Sequence, residues 1–379
     1  MNPLMNPLRI KALGKLEKAL IARHLGEMGL IERILSGFSE LKRDRIIVGP
    51  GDDAAVIELG ETARIVVTTD MLVENVHFRL DWSYPEALGF KSVAANLSDI
   101  AAMGGEAIGI VISLGIPPMV PVKAVDKMYR GISGALSLFG GSLLGGDTVR
   151  SSAIIISISA IGVLVGERPL LRSGARAGDK VCMTGSVGRS ELGLMLLKRY
   201  FELTHRSRKA ALEAWAERTA GYFKGRLPSS LRKTGYACIS KHLMPSPRIR
   251  EARVLSAFGP SAMIDVSDGL SADLMQVARA SGVGLVLREK DIPIDTNARA
   301  VAQALGTSPH KIALSSGEEY EIVFTIPAAK IRPAARALAK RCGTSIEVIG
   351  EITEDKESVV VIGTRGRKKA LVETGFRHF

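Results

Sequence analysis

Cysteine is scarce in this chain of 379 residues, which has only Cys182, Cys238 and Cys342. They lie far apart, with no CxxC pair and no Cys/His spacing typical of zinc ligands. This pattern excludes a scaffold built on disulfides and a zinc-ribbon module. We expect three free thiols and a cytoplasmic protein, because thiols persist in that reducing compartment.

Long apolar runs are also missing. One of the longest uncharged stretches, residues 107–122, contains Pro117, Pro118 and Pro121, and a transmembrane helix needs about 20 apolar residues. From Arg9 onward a basic amphipathic pattern stands where a signal peptide would be apolar. We therefore expect no membrane partner and no secretory leader. The Walker A, HRD and DFG motifs are absent, so any ATP site must use another fold.

The net charge of +12 is concentrated in two segments. Residues 1–45 contain nine Lys/Arg and five Asp/Glu, residues 198–236 contain ten and three, and the remainder is nearly balanced. Both segments have helical patterns. Aromatic side chains alternate with basic ones in the 198–236 segment, as in a surface that stacks nucleic-acid bases: Tyr200, Phe201, Trp215, Tyr222 and Phe223. An exposed helical hairpin is the simpler interpretation, because charge runs usually cover solvated faces.

The rest of the chain alternates strand and helix patterns, which predicts a mixed α/β protein. Strands are predicted at residues 65–69, 108–116, 154–163, 180–184, 320–326, 346–349 and 358–362, and helices at 30–38, 85–103, 121–139 and 327–341. An Arg/Gly/Pro-rich stretch at residues 167–179 indicates a domain boundary. We expect a basic helical segment (1–45), an N-terminal domain (46–166) and a C-terminal domain (167–379) that carries the 198–236 segment.

Aspartate occurs beside glycine, or at the end of a predicted strand, in five short motifs. They are GDDAA at residues 51–55, TTD at 68–70, NLSD at 96–99, GGDT at 145–148 and DVSDG at 265–269. Each one alone is as readily a turn or a helix N-cap. Together they predict carboxylates that face one cleft, where Mg²⁺ would bridge to substrate phosphates.

Three further features allow two interpretations each. The GSVG turn at residues 185–188 enters a predicted helix, and it is either an anion site or an ordinary tight turn. His77 has no metal-ligand spacing around it, which is more typical of a structural histidine. The carboxylates of Glu318, Glu319 and Glu321 lie either on a solvated loop or in a cleft.

In this order the motifs resemble those of the thiamine-monophosphate kinases. These enzymes belong to a superfamily with aminoimidazole ribonucleotide synthetase, selenophosphate synthetase and a hydrogenase maturation factor. The resemblance runs from about residue 26 to the end, apart from the 198–236 segment, which has no counterpart in the usual pattern. It rests on GDDAAV (51–56), TDMLVE (69–74), HF (77–78), NLSDIAAMG (96–104), GGDT (145–148), RSGA (172–175), HLMPSPR (242–248) and DVSDGL (265–270).

The resemblance implies a two-domain fold of the aminoimidazole ribonucleotide synthetase type, with mixed β-sheets flanked by helices, and a homodimer. It implies ATP, Mg²⁺ and thiamine monophosphate as ligands. The implied metal ligands are Asp53, Thr68, Thr69, Asp70, Asp99, Asp147, Asp265 and Asp268. The implied nucleotide-binding residues are Tyr129, Gly146, Asp147, Arg172 and Ser267, and the implied substrate-binding residues are His77, Glu318 and Phe376.

The implied reaction passes the γ-phosphoryl group of ATP to the phosphate of thiamine monophosphate. This acceptor is already an anion near neutral pH, since the second pKa of a phosphate monoester is about 6. It needs charge neutralisation and in-line positioning rather than a general base. Asp147, Arg172 and Asp268 are the residues to which the resemblance gives a catalytic role.

The chain departs from the family pattern in the stretch SGEEYE at residues 316–321, where GGEDYE is usual. The two changes, at Ser316 and Glu319, leave the exact substrate open. The alternatives are another ATP-dependent small-molecule kinase or synthetase of the same superfamily, and a nucleic-acid-binding module that uses the 198–236 segment, although nucleic acid is the less expected partner. No cysteine precedes Cys182, which disfavours a selenophosphate synthetase.

Overall fold

The computed structural model describes residues 22–36, 44–60, 63–166, 168–202, 207–356 and 358–376. The chain separates into Arg45–Gly375 and a small unit from Met1–Asp44 and Phe376–Phe379. In the small unit, helix α1 (Ala22–Ser36) bends at Gly26, where φ is 67°. This helix begins before the predicted span of 30–38, whose last two residues lie outside the described part. The helical pattern predicted from Ile10 to Ile21 also lies outside it.

The first sheet of the larger unit is formed by β1 to β6 in the order β1-β2-β3-β6-β4-β5. Its strands are β1 (Ile46–Val48), β2 (Ala55–Leu59), β3 (Ala63–Val73), β4 (Gly105–Ile116), β5 (Ser142–Arg150) and β6 (Ile155–Leu164). β4 and β5 are parallel, whereas the other neighbours are antiparallel. The sheet is therefore mixed. Strand β5 was not predicted, because its two glycines weaken the strand pattern.

Two helices flank this sheet, α2 (Pro85–Ala102) and α3 (Val122–Phe139). Pro85 fixes the first turn of α2, which packs against β3, β6 and α3 and is buried along almost its whole length. The two helices approach backbone to backbone, since a Cβ atom at Gly89 would overlap the carbonyl oxygen of Met128. This close packing holds α2 against the sheet, and α2 carries the NLSD motif.

The second sheet has seven strands in the order β13-β12-β9-β11-β7-β10-β8. They are β7 (Lys180–Thr184), β8 (Ala262–Asp265), β9 (Gly284–Arg288), β10 (Ile322–Ile326), β11 (Ile346–Thr353), β12 (Val359–Ile362) and β13 (Lys368–Ala370). Only β9 and β12 pair in parallel among the paired strands described, so this sheet is mixed as well. The predicted mixed α/β fold is confirmed.

The helices that follow β6 pack mostly around the second sheet, although the one at Arg208–Glu217 lies beside the first. They are α4 (Arg189–Phe201), α5 (Arg208–Glu217), α6 (Ala220–Arg226), α7 (Thr234–Leu243), α8 (Ile249–Ser256), α9 (Leu270–Ser281), α10 (Thr296–Ala304), α11 (Pro309–Ser315) and α12 (Ala328–Cys342). Short 3₁₀ turns occur at Ser229–Leu231 and Glu289–Asp291. Among the described residues, no helix is both long and apolar enough to span a bilayer.

The 198–236 segment is not an exposed hairpin. Trp215 is 1% exposed and Phe223 is fully buried, so these rings are closed to nucleic-acid bases. Trp215, on α5, lies in the core beside the first sheet, whereas Phe201 and Phe223 lie in the core beside the second sheet. The exposed-hairpin interpretation was therefore wrong, because a count of basic residues does not register the apolar face between them. The nucleic-acid alternative stays a prediction, without Trp215, Phe201 and Phe223 as stacking partners.

Candidate active site

Three predicted aspartates meet where the two sheets approach each other. Asp53 precedes β2, Asp99 lies on α2, and Asp265 ends β8. Each contributes a carboxylate oxygen, and these oxygens all lie within 4.8 Å of one another. Three of the five sequence motifs thus converge on one carboxylate cluster, which we call the aspartate cluster.

Burial and mutual repulsion give the aspartate cluster unusual acidity. Burial, followed by the charge of Asp53, raises the pKa of Asp265 to about 7. Burial, followed by the charges of Asp265 and Asp70, raises the pKa of Asp99 well above its ordinary value. Carboxylates this close and this buried are stable as anions only beside a positive charge. The cluster therefore favours either protons or a cation.

Arg172 engages one of the two carboxylate oxygens of Asp53. Its Nη2 and Nε atoms donate to Oδ1 at 2.6 and 3.2 Å, and its Nη1 donates to Gln276 at 2.5 Å. The backbone N–H of Arg172 also donates to Asp52 at 3.1 Å. These bonds fix the Asp53 carboxylate and leave its second oxygen directed elsewhere.

Two oxygens of the aspartate cluster, Oδ2 of Asp53 and Oδ1 of Asp265, are buried without a hydrogen-bond partner in the described part of the chain. Buried carboxylate oxygens are normally paired, so this pair indicates a missing ligand. Hard cations such as Mg²⁺ bind oxygen atoms of this kind. The residues present therefore fit the predicted metal.

The predicted metal ligands on strand β3 lie on both faces of the first sheet. Thr68 donates to Asp99 Oδ2 at 2.8 Å, and the backbone N–H of Asp70 donates to Asn96 on α2 at 3.1 Å. Both lie on the α2 side, with the aspartate cluster. Thr69 pairs with Ser159 on β6 and lies on the other face, because side chains alternate along a strand.

Asp147 lies on that other face. It pairs with Ser113, which pairs with Ser157, which pairs with Met71, and Met71 shares a face with Thr69. Asp147 is exposed and accepts the N–H of Thr148 at 2.8 Å. Thr69 and Asp147 thus share the face of the sheet opposite Thr68, but β6 and β4 lie between their strands, and their metal role remains a prediction.

Asp268 and Ser267 follow β8 directly, beside Asp265. Asp268 is exposed and Ser267 is half-buried. Below them the fully buried Asp273 accepts the N–H of Gly269 at 3.1 Å. Burial, followed by the charges of Asp268 and Asp265, raises the pKa of Asp273 well above its ordinary value, which places this residue close to the predicted ligands.

The two other predicted nucleotide residues lie on the first sheet and its helix layer. Tyr129, on α3, is half-buried against the core. Gly146 is inside β5, where a Cβ atom would overlap the carbonyl oxygen of Ile112. That glycine is required by strand packing alone, so its presence does not by itself indicate a nucleotide.

His77 is held in a tight turn after β3. Its Nδ1 atom accepts a hydrogen bond from the backbone N–H of Val73 at 3.0 Å. The backbone N–H of His77 donates to the carbonyl oxygen of Val73 at 3.0 Å. Because Nδ1 is an acceptor, the neutral ring carries its proton on Nε2. The turn thus orients a half-buried imidazole with a defined donor.

Glu318 lies in a buried polar contact rather than on a solvated loop. Its Oε1 atom is 2.6 Å from Nζ of Lys91, on α2, and its Oε2 atom is 3.2 Å from Nδ1 of His242. Burial opposes ionisation of Glu318, but Lys91 outweighs it and lowers the pKa. Burial and Lys91 lower the pKa of His242 to about 3, so the contact with that neutral ring is not an ion pair.

The GSVG turn already holds an anion, which is the side chain of Glu319. The N–H groups of Gly188 and Ser190, at the start of α4, donate to Oε1 of Glu319 at 2.6 and 3.0 Å. The hydroxyl of Ser316 donates to the same oxygen at 2.6 Å. The two residues that depart from the family pattern therefore bind each other and the helix N-terminus.

Phe376 belongs to the smaller unit and is 48% exposed, and its substrate role remains a prediction. Lys91 and Gln276 were missed by the sequence interpretation, and His242 was noted only as part of a stretch that resembles the family, without a role. The sequence could have indicated Lys91, because it is a lysine on the buried side of a predicted helix. Such a position requires a buried counter-charge.

Comparisons with known proteins identify the family of the chain. Residues 51–164 match the family model of the AIR synthase related protein, N-terminal domain, and residues 176–363 match that of the C-terminal domain. A Mycobacterium tuberculosis thiamine-monophosphate kinase is 37% identical over 302 residues, which cover 79% of this chain and 80% of that protein. The Bacillus subtilis thiamine-monophosphate kinase is 32% identical over 336 residues, or 88% and 93% of the two chains.

Solved structures extend the likeness. A structure described as AaThiL complexed with AMPPCP and TMP superposes with a TM-score of 0.76 at 29% identity, over 95% of this chain and 99% of that one. The hydrogenase maturation protein HypE in complex with ATP shares the fold, with a TM-score of 0.60 at 16% identity over 95% of this chain and 94% of that one. From the matched family models, and from relatives that align over most of its length, the chain belongs to the thiamine-monophosphate kinase family of AIR synthase related proteins.

Proposed function

We propose that this chain transfers the γ-phosphoryl group of ATP to the phosphate of thiamine monophosphate, yielding thiamine diphosphate. The observation that carries the proposal is the aspartate cluster, in which Asp53 and Asp265 each keep one buried oxygen without a hydrogen-bond partner among the described residues. A phosphoryl transfer between two polyanions requires a site of this kind. The assignment of thiamine monophosphate as the substrate rests on the relatives named thiamine-monophosphate kinase.

The residues that would hold Mg²⁺ are those of the aspartate cluster, with Thr68, Asp70 and Asp268 beside them. The predicted ligands Thr69 and Asp147 would serve metal or nucleotide from the other face of the sheet. Bound Mg²⁺ would neutralise the phosphate oxygens between which the phosphoryl group moves.

The protein groups themselves supply positioning. The acceptor phosphate is already ionised near neutral pH, so no side chain has to remove a proton from it. Arg172 holds Asp53 in one rotamer through two bonds to a single oxygen, which fixes the carboxylate before substrates arrive. A carboxylate held in this way needs no rearrangement when a cation binds.

The departures at Ser316 and Glu319 are compatible with thiamine monophosphate as the substrate. Both side chains are fully buried, bind each other and cap α4. Glu318, which lies between them in sequence and is the family's substrate residue, is instead directed at Lys91. The sequence changes thus alter the support of the loop while the substrate carboxylate remains.

We also propose a homodimer through the face of the first sheet that carries Thr69. Every residue of the edge strand β5 is exposed. Leu143, Leu144 and Val149 on it are 49%, 51% and 55% exposed, and Met71 on the same sheet is 50% exposed. An exposed apolar edge strand of this length is stable in a soluble protein when a partner covers it.

A cytoplasmic location fits the thiol chemistry. Cys182, Cys238 and Cys342 are all free, and burial raises the pKa of both Cys182 and Cys238 to about 12. Inert buried thiols without disulfides are typical of reducing compartments.

The test is an assay of the purified protein with ATP, Mg²⁺ and thiamine monophosphate, which follows thiamine diphosphate and ADP together. Equal amounts of both products are expected, and none without Mg²⁺. Asp268→Asn should abolish turnover with the thermal unfolding temperature preserved, whereas Asp126→Asn, an exposed change on α3, should leave turnover intact. A folded protein that binds ATP but forms no thiamine diphosphate would refute the substrate assignment.

A further inference from the structure

The 198–236 segment has no part in the proposed chemistry, yet it makes a buried ionic contact beside the proposed substrate site. Nη1 and Nη2 of Arg208, the first residue of α5, donate to Oε1 and Oε2 of Glu74 at 2.8 and 2.6 Å. The side chain of Glu74 is 2% exposed and that of Arg208 is 38% exposed. This parallel, two-bond geometry is the strongest that arginine and carboxylate form.

Glu74 opens the turn that carries His77. The backbone of Glu74 bridges to Phe78, and Asn75 between them has a φ of 66°, in the left-handed region. The imidazole of His77 is fixed from inside the same turn by the N–H of Val73. Movement of Glu74 would therefore move the histidine that the family resemblance assigns to the substrate.

Glu74 has one other partner besides Arg208 that is described, the backbone N–H of Ile154 at 2.9 Å. One neutral donor does not compensate a buried carboxylate. Without Arg208, the carboxylate would have to admit water, take up a proton or swing outward. Each of these changes would loosen the start of the turn.

The electrostatic position of Arg208 in its own helix is unfavourable, and only the contact with Glu74 offsets it among the described contacts. It begins α5, where the helix dipole repels a cation, and no acidic residue offsets it in the first turn. The helix is held firmly elsewhere, since Trp215 Nε1 donates to Ser83 at 3.1 Å and Lys127 donates to the carbonyl of Ala216 at 2.6 Å. A rigid helix that presents a locally disfavoured cation is typical of a functional contact.

We propose that Arg208 is a positioning residue, which acts through Glu74 to hold the His77 turn in the conformation that binds the phosphorylated thiazolium substrate. The proposal rests on the proposed function. It gives the 198–236 segment a role in substrate affinity, and it separates that role from the ATP and metal residues.

Steady-state kinetics of the full-length protein test whether Arg208 affects the affinity for thiamine monophosphate without affecting that for ATP. Arg208→Met should raise the KM for thiamine monophosphate about tenfold or more while the KM for ATP and kcat change less than about twofold, because the turn contacts one substrate only. Arg208→Lys should recover part of the loss. Lys209→Met is the matched control, since its neighbouring side chain is 74% exposed and pairs only with Glu213 among the described contacts.

A double-mutant cycle and hydrogen exchange complete the test. Glu74→Gln removes the buried charge, so Arg208→Met added to it should change KM less than about twofold. Amide exchange in residues 73–78 should accelerate in Arg208→Met and not in Lys209→Met, with no substrate needed. Equal effects on both substrates, or unchanged exchange in an active protein, would overturn the positioning role. A wild-type protein without kinase activity would instead refute the proposed function.

Discussion

Ser98 on α2 donates a hydrogen bond of 2.5 Å to Oδ2 of Asp265 at the end of β8. Ser98 is fully buried, and the bond joins the helix layer of the first sheet to a strand of the second. It also occupies one oxygen of an aspartate whose other oxygen is among the unpartnered ones. The bond therefore couples the packing of the two sheets to the geometry of the aspartate cluster.

Ser98→Ala should weaken metal binding. Loss of a hydrogen bond that stabilises the ionised form raises the pKa of Asp265 further, so protons compete better with Mg²⁺. The Mg²⁺ concentration for half-maximal activity should rise on the order of tenfold, since hydrogen bonds to charged groups contribute about 1.5–3 kcal/mol. A Mg²⁺ titration of the kinase reaction measures this. Ser92→Ala is the control, because Ser92 on the same helix donates only to the Gly89 carbonyl among the described contacts.

Asp265→Asn should stabilise the metal-free protein, and only at higher pH. The pKa of Asp265 is raised from 3.8 to about 7 by burial and then by Asp53. Between these values the folded protein keeps a proton that the unfolded chain has lost, so stability falls as the pH rises. Urea unfolding in EDTA should show a gain on the order of 3 kcal/mol at pH 8 and almost none at pH 4. A gain of equal size at both pH values would contradict the buried-charge explanation.

Lys91→Met should destabilise the fold. It leaves Glu318 buried with a neutral histidine as its remaining partner in this contact, and breaking such a pair costs about 3–5 kcal/mol. Adding Glu318→Gln should restore much of that loss, because no unpaired charge then remains. Chemical denaturation of both variants measures this. Lys123→Met is the matched control, since the Lys123–Glu217 pair is 58% and 66% exposed and solvent screens a pair of that kind.

Trp215→Ala should lower the free energy of unfolding by about 3–5 kcal/mol, the usual cost of emptying a buried tryptophan site. Trp215→Phe should cost less, because a benzene ring still fills part of the site, although the Nε1 bond to Ser83 is lost. The wild-type protein should bind single-stranded RNA no more tightly than polyphosphate, because the rings of Trp215 and Phe223 are buried and give no stacking. Denaturation curves and a filter-binding titration measure the two claims. Unchanged stability in Trp215→Ala would place the segment outside the core.

Leu143→Arg together with Val149→Arg should convert the proposed dimer to monomers. Both side chains are half-exposed on β5, so arginine fits the isolated chain but not an apolar interface. Sedimentation velocity should show the mass halved, with the unfolding temperature of the monomer as a folding check. Val122→Arg, which is 74% exposed on α3, is the control. A wild-type protein that sediments as a monomer would refute the interface.

The aspartate cluster was predictable because its signals are local. Asp53, Asp99 and Asp265 each lie in a short stretch whose glycine or serine neighbours indicate a strand end or helix turn. The order of the motifs along the chain, which matches the family, then indicated that these stretches converge. Their spacing alone could not indicate this. The buried oxygens and the role of Arg172 as a partner of Asp53 required the tertiary structure.

Other features depend on contacts between distant parts of the chain. The capping of α4 by Glu319 joins a turn and a loop that no sequence window contains together. Burial of Trp215 was hidden because basic residues dominate the composition of its helix, although one apolar face is enough to enter a core. Strand β5 was missed because pairing with β4 overrides the weak propensity of its glycines.

Thr68 and Thr69 are adjacent in β3 but serve opposite sides of the first sheet, one toward the aspartate cluster and one toward the exposed face. Any insertion or deletion of a single residue upstream in this strand would exchange the two sides for every residue after it. Such a change would remove the proposed metal site and the proposed subunit contact in one event. Evolution of the strand is therefore restricted to substitutions, and a library meant to alter either property should vary residue types there while keeping its length constant.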